Sequence, residues 1–351
     1  MTDCASCADE RAAGAAYCEA CGRPLAAAPP CPSCGAPGGV GADGYCEQCG
    51  MLAARPRDRA TPAAWPVGER GESTPDSGHR EADAGAVAAA VTDRGLRHHR
   101  NEDAMWLATR GADVEVVVCD GVSASVDPDV ASETAARTAG ARLAAATRAD
   151  PEQMAAAIVA ARDAVAELAR NGDPRRAASN PACTIVAAVV RGAEIAVGWI
   201  GDSRAYWLPR EGPAEQLTED DSWATHVIAL GIDPEDALRD PKAHAITAWL
   251  GADAGPVTPR IASFLVTAPG HLVLCSDGLW NYLTDPAGFG ETVRACLREH
   301  GTLIGAARSL AEFANVAGGA DNITVALVPI HPAEPYRGGK PRRDPLREPR
   351  E

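Results

Sequence analysis

Lysine is almost missing from these 351 residues: Lys242 and Lys340 are the only two among 33 Lys and Arg side chains. Positive charge is short overall, because 48 Asp and Glu leave a formal net charge of −15. A surface of that sign repels phosphodiester backbones, so general nucleic-acid binding is not expected. The chain also lacks any apolar run of about 18 residues, the length a membrane-crossing helix needs. Its first residues do not form the hydrophobic stretch of a secretory leader. Neither membrane insertion nor secretion is expected, and the chain is assigned to the cytoplasm. The preference for Arg over Lys, with abundant Ala, matches the output of a GC-rich bacterial genome.

Against that background, acidic residues fall into a pattern. Asn101-Glu102-Asp103, Asp120-Gly121, Gly201-Asp202-Ser203-Arg204, Ser276-Asp277-Gly278 and Asp321-Asn322 follow one another, most of them beside an apolar run. Glu115-Val116-Val117-Val118-Cys119 and His271-Leu272-Val273-Leu274-Cys275 read as buried strands, and each ends at once in Asp-Gly or Ser-Asp-Gly. A strand that stops in this way holds a carboxylate at the sheet rim on a rigid support. Taken singly, Asp-Gly marks a turn; five such motifs in order point to converging carboxylates. These would repel one another and stay protonated unless a cation balanced them. Oxygen-only donors suit hard ions such as Mg²⁺ or Mn²⁺.

From about residue 87 to 330 the sequence resembles the metal-dependent protein serine/threonine phosphatases of the PPM (PP2C-like) family, bacterial branch. Further matching stretches are Thr92-Asp93-Arg94-Gly95, Leu217-Thr218-Glu219-Asp220-Asp221-Ser222, Thr247-Ala248-Trp249-Leu250-Gly251 and Ile323-Thr324 after Asp321-Asn322. The resemblance implies that Asp120 bridges two metal ions and that the Gly121 carbonyl ligates one of them. It implies that Asp277 and Asp321 complete the protein ligands of the other. Glu102 and Asp103 would act through metal-bound waters, and Asp202 would hold a third, weaker ion. The implied chemistry is hydrolysis of phosphoserine and phosphothreonine in proteins. A water between two Mn²⁺ or Mg²⁺ ions becomes hydroxide near neutral pH and attacks phosphorus in line, with no covalent phosphoenzyme. A cysteine nucleophile is disfavoured, because Cys119, Cys183, Cys275 and Cys296 lie in apolar stretches that discourage a thiolate and suit core packing.

Two positions depart from the family pattern. Where the family carries a phosphate-binding Arg this chain has His98, flanked by Arg97 and Arg100. If the segment is extended, Arg100 shares His98's face about 7 Å further on and is the better substitute. Histidine is a single donor, mostly neutral at pH 7, so phosphate binding through it would be weaker or more pH-dependent than through an Arg fork. The alternative is a His98 that faces solvent. After Asp120-Gly121 comes Val122, which can transfer no proton. Leaving-group protonation would fall to a metal-bound water or, less plausibly, to His98 or His99.

The N-terminus carries a second signal. Cys4 and Cys7 are followed by Cys18 and Cys21, and Cys31 and Cys34 by Cys46 and Cys49, each pair spaced by two residues. Tyr17-Cys18-Glu19-Ala20-Cys21-Gly22 is echoed by Tyr45-Cys46-Glu47-Gln48-Cys49-Gly50. This repeat resembles a double zinc ribbon with two structural Zn²⁺, each in a closed four-cysteine site. Segments of about 20 residues have almost no core, so metal binding would supply most of their folding free energy. Residues 1–52 carry Arg11 and Arg23 against six acids, which favours a protein partner for docking or regulation over nucleic acid.

The expected organisation is a double zinc ribbon at 1–52, a disordered tether at 53–83, a catalytic domain at 84–330 and a mildly basic solvated tail at 331–351. Within the domain, strand-like runs stand at 86–92, 104–109, 113–119, 183–190, 193–200, 204–208, 271–276 and 323–328. Helical patterns stand at 129–147, 151–170, 288–299 and 302–315. Blocks of strands with helices in pairs argue for an α+β layered domain. The family resemblance makes it a four-layer α-β-β-α sandwich, with residues 222–246 as a flap near the site. Two functions follow. One is an active phosphatase that opposes a bacterial serine/threonine kinase. The other is a catalytically weak PP2C-like scaffold or sensor that recruits partners through the ribbons.

Overall fold

The computed structural model describes residues 78–170, 173–255 and 257–332. The zinc-ribbon cysteines, most of the tether and nearly all of the tail lie outside them. Two antiparallel sheets make up the β portion of the domain. One has the order β1-β2-β11-β10-β7-β8 and the other β3-β4-β5-β6-β9. In the first, β1 is Arg80–Asp83, β2 Ala89–Asp93, β7 Arg204–Pro209, β8 Glu215–Gln216, β10 Gly270–Cys275 and β11 Ile323–Ile330. In the second, β3 is Ala104–Arg110, β4 Asp113–Cys119, β5 Ile185–Arg191, β6 Glu194–Ile200 and β9 Arg260–Leu265.

The central strands are short β-branched and alanine-rich runs buried on both faces. All seven residues of β5 and six of the seven in β4 are buried. A strand is covered on both sides only where layers lie above and below it. Between the sheets, Met105, Leu107, Val116 and Val118 meet Ala90, Leu272, Leu274 and Val328 in one apolar cluster. Gly111 and Gly192, both at positive φ, form the two-residue turns that join β3 to β4 and β5 to β6 and so fix the register.

Helices cover the outer faces in pairs. α1 (Pro128–Ala144) and α2 (Pro151–Leu168) pack on the β3–β9 sheet. The fit is close enough that a Cβ on Gly140 would lie 2.2 Å from the Trp106 ring. α1 and α2 are followed by the one-turn α3 (Pro174–Ala178), and the flap holds α4 (Trp223–Ala229) and α5 (Pro234–Arg239). Beyond β10 come α6 (Asp277–Trp280), α7 (Pro286–His300) and α8 (Leu303–Ala317). The last two begin with side-chain caps from Asp285 and Thr302, and α8 lies on β2 and β11. The order helix pair, sheet, sheet, helix pair is the expected α+β sandwich.

Several elements depart from the sequence expectation. β1 falls inside the segment expected to be a tether, so the folded domain begins before residue 84. The sequence Arg-Glu-Ala-Asp has no apolar alternation, and its strand exists because it pairs with β2 at the sheet edge. β8, two residues long, and β9, a half-exposed strand on the other sheet's edge, carried equally weak patterns.

Candidate metal centre

Each acidic motif sits where a strand begins or ends. Asp120 follows β4, and its carbonyl accepts the Thr184 N–H at 2.7 Å. Asp277 opens α6 directly after β10. Asp321 immediately precedes Asn322 and β11, Asp103 immediately precedes β3, and Asp202 lies between β6 and β7. Register explains the convergence. β2, β11, β10 and β7 are neighbours in one sheet, β3, β4, β5 and β6 are neighbours in the other, and the motifs lie at the ends of these strands.

The backbone is packed too tightly there for any residue but glycine. A Cβ on Gly278 would stand 1.9 Å from the Asn322 carbonyl oxygen, and one on Gly121 would stand 2.7 Å from the carbonyls of Glu102 and Pro128. The Asp-Gly pairs are therefore contact points between motifs as well as turns. Asn322 ties two of them together: its Oδ1 accepts the Glu102 N–H at 2.6 Å and its Nδ2 donates to the Arg94 carbonyl at 2.7 Å.

Asp103 is buried, and one of its oxygens accepts hydrogen bonds from Ser276 Oγ at 2.8 Å and Thr324 Oγ1 at 2.7 Å. Its other oxygen, Oδ1, is buried with no hydrogen-bond partner, as is Oδ1 of Asp277. Glu102 accepts from Ser123 Oγ at 2.7 Å. Asp202 is buried, and its carbonyl accepts the Trp280 indole N–H at 2.9 Å. Neither Ser123, Ser276 nor Trp280 stood out as a site residue in the sequence; a hydroxyl within three residues of a motif carboxylate is the signal that could have marked the two serines.

Burial and mutual repulsion push these carboxylates up. Desolvation raises Asp103 to about 8, and the charges of Asp321 and Asp277 add to it. Desolvation, then Asp277 and Asp220, raises Asp202 to about 8. Asp277 rises to about 6 through desolvation and Asp321, opposed by hydrogen bonds from Asp120 and Asn281. Asp120 is pushed well above the usual carboxylate range by desolvation and by Asp103, Asp277, Asp321 and Asp202 in turn. Five acidic side chains from five segments therefore act on one another.

These donors fit a hard divalent cation. They are oxygen-only, mutually repelling, and include two buried carboxylate oxygens without partners. Among the described residues, no three His, Cys, Asp or Glu groups are drawn tightly enough to enclose an ion as they stand. The ligand set thus rests on mutual electrostatics and unsatisfied oxygens, and not on a closed cage.

Other sequence-predicted residues are placed differently. The segment Leu96–Arg100 is not part of the compact unit that holds the aspartates. It forms turns and bends and not a strand, so the two-residue alternation expected to put Arg100 on His98's face does not apply. Val122 donates its N–H to the Ala182 carbonyl at 2.9 Å, a structural bond. Cys119, Cys183, Cys275 and Cys296 are buried free thiols, and burial pushes Cys119 and Cys275 up, as core packing requires. Residues 222–246, the segment expected to be a flap, hold α4 and α5 around Ala224, Ala237 and Ala243, over a cavity of about 240 Å³ lined by Arg204, Asp220 and His244 among others. Arg204 stacks 3.5 Å above the Trp280 ring and pairs with Asp220 through two hydrogen bonds.

The sandwich and its acidic rim define a known class: residues 95–314 match the family model described as Protein phosphatase 2C, and the chain belongs to that family. It is 30% identical over 252 residues to the serine/threonine phosphatase stp of Listeria innocua, covering 68% of this chain and 93% of that protein. Among solved structures, the Mycobacterium tuberculosis serine/threonine phosphatase PstP/Ppp superposes with a TM-score of 0.60 at 27% identity, covering 72% of this chain and 99% of that one. The PstP catalytic domain in complex with two manganese ions superposes at 0.56 with 27% identity and the same coverage.

Proposed function

We propose that this chain hydrolyses phosphoserine and phosphothreonine in cytoplasmic proteins and opposes a bacterial serine/threonine kinase. The observation that carries the proposal is the group of carboxylates at 103, 120, 202, 277 and 321. They come from separate segments, the charges of neighbouring acids raise those at 103, 120, 202 and 277, and Asp103 and Asp277 each keep a buried oxygen unpartnered. Buried acids that one another's charges disfavour are costly to fold and are characteristic of a functional site.

Asp120, the Gly121 carbonyl, Asp277 and Asp321 would hold two Mn²⁺ or Mg²⁺ ions, and Asp202 a third, weaker one. Bound there, the ions would neutralise phosphoryl charge and lower the pKa of water at the site. The protein's own part is orientation. Ser276 and Thr324 fix Asp103, Ser123 fixes the Glu102 carboxylate, and Asn322 fixes the Glu102 backbone, so each donor meets a substrate phosphate and its water without reorganising. Arg100 and His98 are the proposed phosphate-binding groups. The N-terminal cysteines would hold two structural Zn²⁺ and present a docking or regulatory surface to a protein partner.

Phosphate release from a phosphothreonine peptide, measured with and without Mn²⁺, tests this reading. Turnover should require Mn²⁺ and vanish in Asp120→Ala. A wild-type protein inert at every metal concentration would leave a PP2C-like scaffold or sensor in its place.

A further inference from the structure

His79 stands just before β1, between two carboxylates. Its Nδ1 lies 2.7 Å from Asp93 Oδ2 and its Nε2 2.9 Å from Glu81 Oε1. The hydrogen bond to Asp93, then that to Glu81, raises the imidazole pKa to about 9 against the cost of burial, so both ring nitrogens donate at neutral pH. Glu81 also accepts from Arg308 of α8, through Nε to the same Oε1 at 2.6 Å and through Nη2 to Oε2 at 2.5 Å.

Asp93, the last residue of β2, uses its second oxygen as a turn cap. Oδ1 accepts the Gly95 N–H at 2.9 Å and Asn315 Nδ2 of α8 at 3.1 Å. The capped turn lies directly against the acidic site's backbone. Gly95 has a φ of +74°, and a Cβ there would be 2.1 Å from the Asp321 carbonyl oxygen. The Arg94 carbonyl accepts Asn322 Nδ2, and Asn322 Oδ1 in turn accepts the Glu102 N–H. One chain of contacts thus runs from His79 through Asp93 and the turn at 93–95 to Asp321, Asn322 and Glu102.

We propose that His79 is a positioning residue for the acidic site: clamped between Asp93 and Glu81, it locks the turn at 93–95 against Asp321 and Asn322 and thereby sets where Asp321 and Glu102 stand. The proposal rests on the reading of that site as a divalent-cation centre. Without the imidazole, Asp93 loses a charged donor and is free to rotate toward water. The cap on Gly95 then loosens, and the surface on which the Asp321 backbone rests moves with it. Groups that hold a metal ligand directly are typically worth about 10- to 100-fold in affinity. His79 acts through intervening residues, so its effect should be smaller, about five- to tenfold.

The test uses the full chain and the variants His79→Ala, His79→Gln and Arg308→Ala. Mn²⁺ is titrated calorimetrically, and amide hydrogen exchange is followed at Gly95 and Asn322. His79→Ala should bind Mn²⁺ about five- to tenfold more weakly and exchange faster at both amides, with exchange in β4 and β5 unchanged. Arg308→Ala, which cuts only the Glu81 side, should lower the melting temperature and leave Mn²⁺ affinity as in wild type. Should His79→Ala fail to fold, His79→Gln, which keeps one donor, should show the same changes at about half the size on a logarithmic scale. A folded position-79 variant with wild-type Mn²⁺ affinity and wild-type exchange at Gly95 and Asn322 would overturn the proposal. Absence of Mn²⁺ binding by the wild type would instead defeat the cation reading, and the exchange data would then decide the role of His79 alone.

Discussion

Asp93 and Asp103 are ten positions apart and flank the same turn region, yet the protein treats them in opposite ways. Burial works against the ionised form of Asp93, but hydrogen bonds from His79, Asn315 and the Gly95 amide outweigh it and hold its pKa below the usual range. Asp103 receives two hydroxyl donors, and these do not offset its burial and its acidic neighbours. The same division runs through the domain. Asp127 is paired with Arg176, Glu115 with Arg191, Asp220 with Arg204 and Glu81 with Arg308. At the rim, Asp103, Asp120, Asp202 and Asp277 are each raised by the charge of a neighbouring acid. Partnered acids hold elements together, whereas the rim stores repulsion that a bound cation would relieve.

The largest effect expected from breaking this contrast is chemical. Asp277→Asn should reduce Mn²⁺-dependent peptide dephosphorylation by on the order of 10³-fold. The same variant without metal should be more stable to urea than wild type, because one repelling charge is gone. A lower metal-free stability would show that Asp277 supports the fold and not a cation site. At the partnered pole, Arg191→Ala strands the buried Glu115 and should cost about 3–5 kcal/mol in urea unfolding. Specific activity of the remaining folded protein should be unchanged.

A third expectation is a pH dependence of unusual sign. The folded pKa values of Asp277, Asp103 and Asp202 are raised, to about 6, 8 and 8. Their contribution is fully present below the unfolded carboxylate pKa of about 4 and is lost as pH climbs through the folded values. Metal-free protein should therefore lose stability between about pH 4 and pH 8, by roughly 2 kcal/mol from Asp277 alone. Thermal melts in chelator across that range would show it, and saturating Mn²⁺ should flatten the slope.

His79 supplies the counterpart within the partnered set. Its raised pKa of about 9 means that its stabilising effect is complete below about pH 6.5 and disappears as pH rises through 9. The stability gap between wild type and His79→Ala should be about 1 kcal/mol at pH 6, after discounting for solvent screening, and close to zero at pH 10. The smallest expected effect is at Ser123, whose hydroxyl steadies the Glu102 carboxylate. Ser123→Ala should lower turnover by about three- to tenfold, with no measurable change in unfolding free energy.

Much of this was legible in the chain. β4 and β10 announce themselves through Val116-Val117-Val118 and Leu272-Val273-Leu274, and their carboxylate endings mark the rim. The four long helices follow from alanine-rich or amphipathic runs that open with Pro or a capping Asp or Thr. The short edge strand β1 was not legible, because its pairing energy comes from β2 and not from its own side chains. With β1 went the roles of His79 and Arg80, the latter donating to the Asp103 carbonyl at 3.2 Å. α4 and α5 in the flap were equally hidden, being six or seven residues long and organised around only three buried alanines.

By itself, then, the sequence determined which carboxylates would stand at strand ends and that their donor atoms are all oxygen, since strand periodicity and side-chain chemistry are local properties of residue type and order. Only the tertiary structure decided which acids are paired and which are left to repel one another. That depends on residues such as His79 and Asp93, or Asp103 and Thr324, meeting across 14 and 221 positions of chain. Burial and Coulomb energy are set by those meetings, and no local pattern encodes them.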